Sequence, residues 1–309
     1  MNTVSFNSLG DLGRLGNQMF QYAALISIAV SNGYNFLIPD PEKVNFKNYI
    51  LHDTFRLNSI DKAKNYGISN FDNFINDKVT NDVEFHESYN NLIKNVNLHG
   101  YFQSYRFIEP VIDLIQKDFQ FNETITSVAE KILTDELIDP KNYTFIHIRR
   151  GDYISKKEYH YNLDKSYYKK SARLFPATTK FLIFSDDVPW CKNNLKLPNK
   201  LIFFEDLYSK DIKNANKESI ELFVMSKCNG GIIANSSFSW WGAFLQNGRG
   251  KIVSPSLHSW FSYKYEYNAK ELIYSHWVQV NPGITKLIIN LLKKTLLTSL
   301  RTKFLISSK

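Results

Sequence analysis

The sequence lacks the features that mark several classes of protein. It contains only two cysteines, Cys191 and Cys228; they have no metal-site spacing and are too few for a disulfide framework. No run of about 18 uncharged apolar residues is present, so we predict no transmembrane helix. The N-terminus, MNTVSFNSLGDLG, has neither a basic flank nor an apolar core, so we predict no signal peptide. These absences favour a cytoplasmic protein with structural thiols.

The composition is that of a globular protein with an excess of positive charge. The 309 residues are 43% hydrophobic, which is enough for a sizeable core in one large domain or two ordinary ones. The net charge of +8 suits an anionic small molecule, an acidic membrane surface or nucleic acid. Basic residues are spread along the chain and no nucleic-acid recognition motif occurs, so we predict no nucleic-acid partner.

Short apolar runs alternate with helical segments in the second half of the chain. The strand-like runs lie at residues 143–148, 179–184, 200–204, 230–234 and 250–253. This alternation predicts βαβ units and a parallel sheet that is buried on both faces.

The first half also starts with a strand, a glycine-rich loop and a helix. The strand is predicted at residues 4–6, and the helix at 18–30 with Gly33 closing it. Further strands are predicted at 34–38 and 98–102, and helices near 105–118 and 124–137, whereas residues 40–95 show no assignable pattern. We therefore predict an α/β protein divided into residues 1–140, 141–282 and a tail, 283–309.

The glycine-rich loop reads GDLGRLGNQ and contains Gly10, Gly13 and Gly16. This spacing is not the G-x-G-x-x-G of dinucleotide-binding proteins. A glycine loop between a strand and a helix still lets a ligand approach backbone N–H groups, with Asn17 and Gln18 at the helix N-terminus facing it. The alternative is a tight turn with Asn17 as helix cap.

Charged residues follow two of the predicted strands of the second half. Arg149, Arg150 and Asp152 come directly after residues 143–148, and Asp186 and Asp187 follow the next strand. Ligands of open α/β sheets bind at this end of the strands, and arginine forks suit phosphate oxygens. The aspartates could hold a metal, accept protons, contact a ribose or guanine, or cap a helix. The tripeptide Arg-Gly-Asp at 150–152 matches an adhesion motif, but beside a core strand we interpret it as incidental.

A third strand end, ANSSFSWWGAFLQNG at residues 234–248, opens another helix. The backbone N–H groups and hydroxyls of its first turn could bind phosphate. Phe238, Trp240 and Trp241 could equally be core residues. No nucleophile elbow or zinc signature occurs in the chain.

Together these segments resemble the α-1,2-fucosyltransferases of glycosyltransferase family 11. The matching stretches are GRLGNQMFQYA near the N-terminus, GYFQSYRFI at 100–108, HIRRGDY at 147–153, FSDD at 184–187 and NSSFSWWGAFL at 235–245. The resemblance implies a GT-B-like fold, with two Rossmann-like halves that face each other across a cleft. It also implies GDP-L-fucose as the donor, an inverting single displacement, a galactoside acceptor in glycan or surface polysaccharide synthesis, and no metal or other cofactor.

The resemblance also implies roles for individual residues. The donor half would be 141–282, and 1–140 the acceptor side. Donor contacts would come from His147, Arg149, Arg150, Asp186, Asp187, Ser236, Ser237, Phe238 and Gly16. Arg149, Asn17 and Asp152 would be catalytic, and Tyr101 and Gln103 would contact the acceptor. Asp152, Glu158 and Asp11 stay open as the base, as does the departing phosphate. The chain departs from the expected pattern at Tyr105-Arg106, on the acceptor side.

Two alternatives come from other functional classes. A nicotinamide-dependent oxidoreductase would explain the glycine loop. A non-catalytic glycan-binding or adhesion protein would explain the Arg-Gly-Asp tripeptide and the 15% aromatic content.

The tail from Gly283 combines apolar and basic residues. In a helix, one face would carry Ile284, Leu287, Ile288, Leu291 and Leu292, and Lys286, Lys293 and Lys294 would lie opposite. Either it packs on the body as a last helix, or it is a peripheral anchor on an anionic inner leaflet near a lipid-linked acceptor.

Overall fold

The computed structural model describes residues 2–68, 78–81, 83–208, 215–264, 267–283 and 288–296. The chain divides into two compact units. Unit 1 consists of Met1–Lys131 and Lys210–Phe223, and unit 2 of Ile132–Ser209 and Val224–Lys309. Of the predicted tail, residues 284–287 and 297–309 lie outside the described part.

The elements are numbered in chain order. The strands are β1 Thr3–Ser5, β2 Asn35–Pro39, β3 Tyr66–Ile68, β4 Lys78–Asn81, β5 Val96–Gly100, β6 Tyr143–Ile148, β7 Lys180–Ser185, β8 Leu201–Phe203, β9 Gly231–Ile232, β10 Ile252–Pro255 and β11 Val278–Val280. The α-helices are α1 Leu15–Asn32, α2 Leu51–Thr54, α3 Lys62–Asn65, α4 Ile112–Asp118, α5 Glu123–Asp135, α6 Gly151–Ser155, α7 Lys165–Ala172, α8 Val188–Asn194, α9 Lys217–Lys227 and α10 Ser237–Phe244. A further helix covers residues 288–296. Single 3₁₀ turns occur at Glu87–Asn90, Tyr105–Phe107, Glu109–Val111, Pro140–Asn142, Phe204–Leu207, Leu257–Ser259 and Ala269–Leu272.

Unit 1 contains a five-stranded sheet in the order β3-β2-β1-β5-β4, with every pairing parallel. Helix α1 is apolar almost all round, and it is buried along most of its length. It ends as predicted at Gly33, which adopts the left-handed conformation that terminates helices (φ 61°).

The start of helix α1 corrects two predictions. The N-cap position is Arg14, so Asn17 lies within the first turn and does not cap the helix. Gln18 does not face a ligand, because it is fully buried and its Nε2 donates to the carbonyl of Asn48.

Unit 2 contains a six-stranded parallel sheet in the order β11-β10-β9-β6-β7-β8. All six residues of β6 are buried, as expected for a central strand covered on both faces. Ile146 and Ile148 belong to a core cluster with Tyr167 and Tyr168 of α7. The α/β class with parallel sheets is therefore confirmed.

Part of the unassigned stretch is regular after all. Residues 40–95 contain β3, β4, α2 and α3, each only three or four residues long, which is too short to show a period in the sequence. The helix predicted over 105–118 becomes two 3₁₀ turns followed by α4. Pro110, which lacks a backbone N–H, lies in the second turn and breaks the run. Strand β11 was not predicted.

One segment belongs to a different unit from the one predicted for it. Lys210–Phe223 groups with unit 1, although it lies in the predicted range 141–282. Its described part is tied there by an ion pair of Glu218 with Arg14 and by a 2.7 Å hydrogen bond between the hydroxyls of Ser219 and Thr54. Helix 288–296, in the predicted tail, groups with unit 2 and does not form a separate part.

Candidate donor and acceptor sites

Each sheet has one point where the chain reverses its direction of winding. In unit 2, β6 lies next to β9, and the chain runs from β6 to β7 and β8 on one side and from β9 to β10 and β11 on the other. In unit 1 the corresponding neighbours are β1 and β5. Ligands of open α/β sheets bind beyond the carboxyl ends of the strands at such a switch point. Most of the predicted site residues lie beyond the carboxyl ends of the strands at these two points.

Arg149 lies just beyond β6 and is held between two carboxylates. Its Nη2 is 2.7 Å from Asp152 Oδ1, and its Nη1 is 3.0 Å from Asp186 Oδ2. Asp186 Oδ1 also accepts from the backbone N–H of Arg150 at 2.8 Å. The guanidinium is therefore fixed in one orientation. Because it carries five N–H donors, these two contacts leave donors for a phosphate.

Arg150 is held in a different way. Its Nε is 3.0 Å from Asp187 Oδ2, and its guanidinium lies 3.9 Å from the ring centre of Trp190. Asp187 also caps helix α8, as predicted, because its Oδ1 accepts from the backbone N–H of Trp190. The capped helix thus positions both groups that hold Arg150.

The Arg-Gly-Asp tripeptide is not a displayed loop. Gly151 begins helix α6, and a Cβ added there would lie 2.6 Å from Asp186 Oδ2. The glycine is needed so that the backbone can approach this carboxylate closely.

Tyr153 and His160 are parts of the site that the sequence analysis missed. Their rings stack at 3.9 Å with an interplanar angle of 6°, and the Arg149 guanidinium lies 5.7 Å from the Tyr153 ring centre. Tyr153 donates through its hydroxyl to the carbonyl of Asn235. The Tyr153 ring therefore links Arg149, which follows β6, to Asn235 in the loop after β9. Tyr153 ends the HIRRGDY stretch at 147–153, but the sequence analysis assigned it no role, and His160 lies outside every matching stretch.

His147, the last but one residue of β6, is buried next to these charged residues. Burial, and secondarily the charge of Arg149, lowers its pKa to about 3, so the imidazole is neutral at neutral pH. Its ring packs 5.5 Å from that of Phe238, which is half-buried at the start of α10. Its buried Nδ1 finds no hydrogen-bond partner among the described residues.

The start of helix α10 lies beyond β9, on the other side of the switch point. Ser236 is its N-cap but makes no side-chain capping bond, so its side chain satisfies none of the first N–H groups. Ser237 and Phe238 are half-buried there, whereas Trp240 and Trp241 are fully buried core residues. An uncapped helix N-terminus beside two arginines suits an anion.

The switch point of unit 1 has a pair of amides at its centre. Gln103, after β5, donates through Nε2 to Asn17 Oδ1 at 2.8 Å. Gly13 is required beside this pair, because a Cβ there would lie 2.4 Å from Asn17 Nδ2, and its φ is 87°. Gly16 lies buried in the first turn of α1 next to Asn17. The structure thus brings together three residues that the sequence predicted to act at or near the reaction.

An unusual backbone conformation lies between Tyr101 and Gln103, the two residues predicted to contact the acceptor. Phe102 has a positive φ of 50°, which is strained for an aromatic residue, and its ring is buried against Phe6 and Phe107. Tyr101 and Gln103, on either side, remain half-exposed. Arg106, at the departure from the family pattern, pairs with Glu87 at 2.7 Å and lies over the ring of Phe85.

Two of the three carboxylate candidates for the base are already engaged. Asp152 is bound to Arg149, and Glu158 pairs with Lys264, whose hydrogen bond lowers the Glu158 pKa. Asp11 is exposed in the glycine loop. Within the described ranges, no three His, Cys, Asp or Glu side chains are grouped so that they could hold a metal ion.

Comparisons with known proteins identify the family. The sequence is similar to two proteins of Escherichia coli. "O-antigen biosynthesis glycosyltransferase WbnK" is 29% identical, covering 87% of this chain and 98% of that protein. "Alpha-1,2-colitosyltransferase" is 30% identical, covering 87% and 96%. "Galactoside 2-alpha-L-fucosyltransferase SEC1" of Bos taurus is 26% identical, covering 76% and 63%.

The fold is similar to that of a solved fucosyltransferase, NodZ from Bradyrhizobium, with a TM-score of 0.51 and 12% identity, over 83% of this chain and 95% of that one. This likeness and the two parallel-sheet units support the predicted GT-B fold class. The model of the family described as "Glycosyl transferase family 11" matches residues 1–281. The protein therefore belongs to glycosyl transferase family 11 and is a glycosyltransferase.

Proposed function

We propose that the protein transfers L-fucose from GDP-fucose to O2 of a galactoside, with inversion at the sugar carbon, during the synthesis of a surface polysaccharide. The similarity to WbnK and to enzymes named for α-1,2 transfer supports this proposal. The acceptor would be lipid-linked, and the enzyme would then act at the inner face of the plasma membrane.

The observation that carries the proposal is the pair of fixed arginines at the switch point of unit 2. Arg149 and Arg150 lie beyond β6, near the uncapped start of α10. Cationic forks and helix N–H groups are the donors that a pyrophosphate requires. Ser236, Ser237 and Phe238 would border the nucleotide, with His147 packed behind Phe238.

The reaction breaks one bond and forms one. The acceptor oxygen attacks C1 of fucose, while the bond from C1 to the β-phosphate oxygen breaks and GDP leaves with the electron pair. Charge develops on that oxygen, and preorganised donors there lower the barrier most. Two guanidinium groups would supply this stabilisation without a metal, since the carboxylates that could bind one are paired with them.

The acceptor hydroxyl loses its proton to a base. In an inverting displacement this base must lie on the face of the sugar opposite the leaving phosphate. Asp152 is bound to Arg149, the proposed leaving-group residue, which favours a positioning role for Asp152. The acceptor itself is neutral, and the amides of Asn17 and Gln103 with Tyr101 suit its hydroxyl groups.

Product analysis tests the proposal. The protein is incubated with GDP-fucose and lactose, and the product is examined by NMR. We expect fucose α-linked to O2 of galactose. A β-linkage, or transfer only from a different nucleotide sugar, would contradict the proposal. GDP-colitose is assayed in parallel, because the colitosyltransferase is as similar to this chain as WbnK is.

A further inference from the structure

The helix at residues 288–296 is oriented with its apolar side outward. Its one buried residue is Asn290, which is 5% exposed. Asn290 Oδ1 accepts from the hydroxyl of Ser262, and its Nδ2 donates to the carbonyl of Phe261 at 3.3 Å. A polar residue therefore fastens this helix to unit 2, which is the reverse of an ordinary surface helix.

The outward side is aliphatic. Ile288, Leu292 and Leu296 follow one another at intervals of four residues and are 49%, 64% and 63% exposed, and Ile289 beside them is 48% exposed. The face predicted from sequence thus holds in part, since Ile288 and Leu292 do share a side. Packing of this helix on the body does not bury that side.

The charge of the tail indicates what covers this side. Residues 283–309 contain six of the chain's 38 Lys and Arg residues and none of its 30 Asp and Glu residues. Most of the net charge of +8 therefore comes from this segment. Lys293 lies beside the apolar side and not opposite it as predicted, because its Nζ is 4.9 Å from the Tyr263 ring centre. A second copy of the tail would bring like charges together, whereas an anionic surface would meet complementary ones.

We infer that residues 288–296 dock unit 2 onto an anionic lipid bilayer, with Ile288, Ile289, Leu292 and Leu296 entering the headgroup boundary. Aliphatic side chains flanked by lysines are typical of interfacial helices. No helix in the described part of the chain is long and apolar enough to cross a membrane, so this contact is a surface one. The inference does not depend on the donor or the acceptor.

Vesicle binding by the full chain provides the first test. We expect it to sediment with vesicles of phosphatidylcholine and phosphatidylglycerol at low salt, roughly tenfold more tightly than with phosphatidylcholine alone, and to dissociate as salt is added. Equal binding to both kinds of vesicle, or binding to neither, would overturn the inference. Tighter binding to an RNA or to an acidic protein at the same salt would do so too.

Substitution of the outward side provides the second test. The variant I289Q/L292Q/L296Q should lose roughly tenfold of its binding to the anionic vesicles. The matched control is I93Q/L137Q, which removes two side chains that are 90% and 92% exposed elsewhere. The control should bind as the parent does. Equal loss in both variants, or no loss in the first, contradicts the inference, and unchanged transfer to lactose shows that the reaction itself is intact.

A fluorescent probe keeps the inference testable if the triple variant fails to fold. Both natural cysteines are fully buried, so an environment-sensitive dye can be placed on L292C, with L137C as control. Emission from position 292 should shift to the blue with the anionic vesicles, and emission from 137 should not. No shift at 292, or equal shifts at both, rejects the bilayer as the occupant.

Discussion

The switch points of the two units differ in charge. In unit 2, two arginines and three aspartates meet beyond β6 and β7, and the side chains hold one another in place. In unit 1, amides and aromatic rings stand beyond β1 and β5, with one amide pair at the centre. The two parallel sheets, which differ in strand number and order, thus carry a network of charged side chains in unit 2 and an amide pair in unit 1. The contrast suits a donor with a pyrophosphate and an acceptor that is a neutral sugar.

The largest predicted effect comes from removing the central charge of unit 2. Arg149→Ala should lower kcat roughly 100- to 1000-fold, because it removes a donor from the oxygen on which charge develops. Arg149→Lys should not restore the rate, since an ammonium cannot make the two-pronged contacts with Asp152 and Asp186. Arg150→Ala should cost much less. Near-normal turnover by Arg149→Ala with an unchanged Tm would refute the assignment.

The next effect tests how Arg149 is held. Asp186→Asn keeps an oxygen for the backbone N–H of Arg150 but loses the charge that faces Arg149. A charged hydrogen bond contributes about 1.5–3 kcal/mol, so kcat/KM should fall roughly 10- to 100-fold. Asp206→Asn, which breaks an exposed pair with Lys192, is the control and should change little.

The same variant separates two roles for Asp186. If it positions Arg149, the affinity for GDP should fall and that for guanosine should stay the same. If it contacts guanosine, as the family resemblance implies, both affinities should fall. Binding titrations with the two compounds distinguish these outcomes.

A smaller effect is expected in unit 1. Gly13→Ala would push a methyl group into Asn17, whereas Gly33→Ala meets nothing within 4 Å although both glycines have positive φ. Both variants should lose about 1 kcal/mol of stability because of the left-handed backbone, and Gly13→Ala should lose more because its methyl group meets Asn17. Only Gly13→Ala should also raise the KM for lactose, by roughly tenfold. Equal kinetics for the two variants would show that the Asn17–Gln103 pair does not matter to the acceptor.

Removal of metals should have the smallest effect. We expect full activity in excess EDTA, because the guanidinium groups are proposed to stabilise the leaving phosphate. Loss of activity that Mg²⁺ or Mn²⁺ restores would instead assign Asp186 and Asp187 to a metal.

The regular parts of the fold could be predicted from the sequence. Strand β6 has an apolar run and lies where it was predicted, and Gly33 ends helix α1 as predicted, whereas α1 begins at Leu15, three residues before its predicted start. Strands β3 and β4 could not be found, because their three or four residues show no period. Lys210–Phe223 groups with unit 1 through contacts with residues far away in the sequence, such as Thr54, and local sequence patterns do not reveal such contacts.

The residues of the candidate site could be predicted from the sequence, but the ion pairs and hydrogen bonds between them could not. Arginines and aspartates after adjacent strands had to meet at one edge, and they do. Which carboxylate holds which arginine depends on side-chain geometry that spacing does not reveal. Tyr153 ends the HIRRGDY stretch, but its stacking partner His160 follows at no regular interval, so no pattern marked the pair.

The central claim, that unit 2 binds the charged donor and unit 1 the neutral acceptor, is tested most directly by calorimetric titration of GDP. Three proteins are compared: the parent, Arg149→Ala and Gln103→Ala. The account predicts that Arg149→Ala weakens GDP binding by roughly tenfold or more, whereas Gln103→Ala leaves it unchanged and raises only the KM for lactose. Loss of GDP affinity in Gln103→Ala as large as that in Arg149→Ala would contradict it.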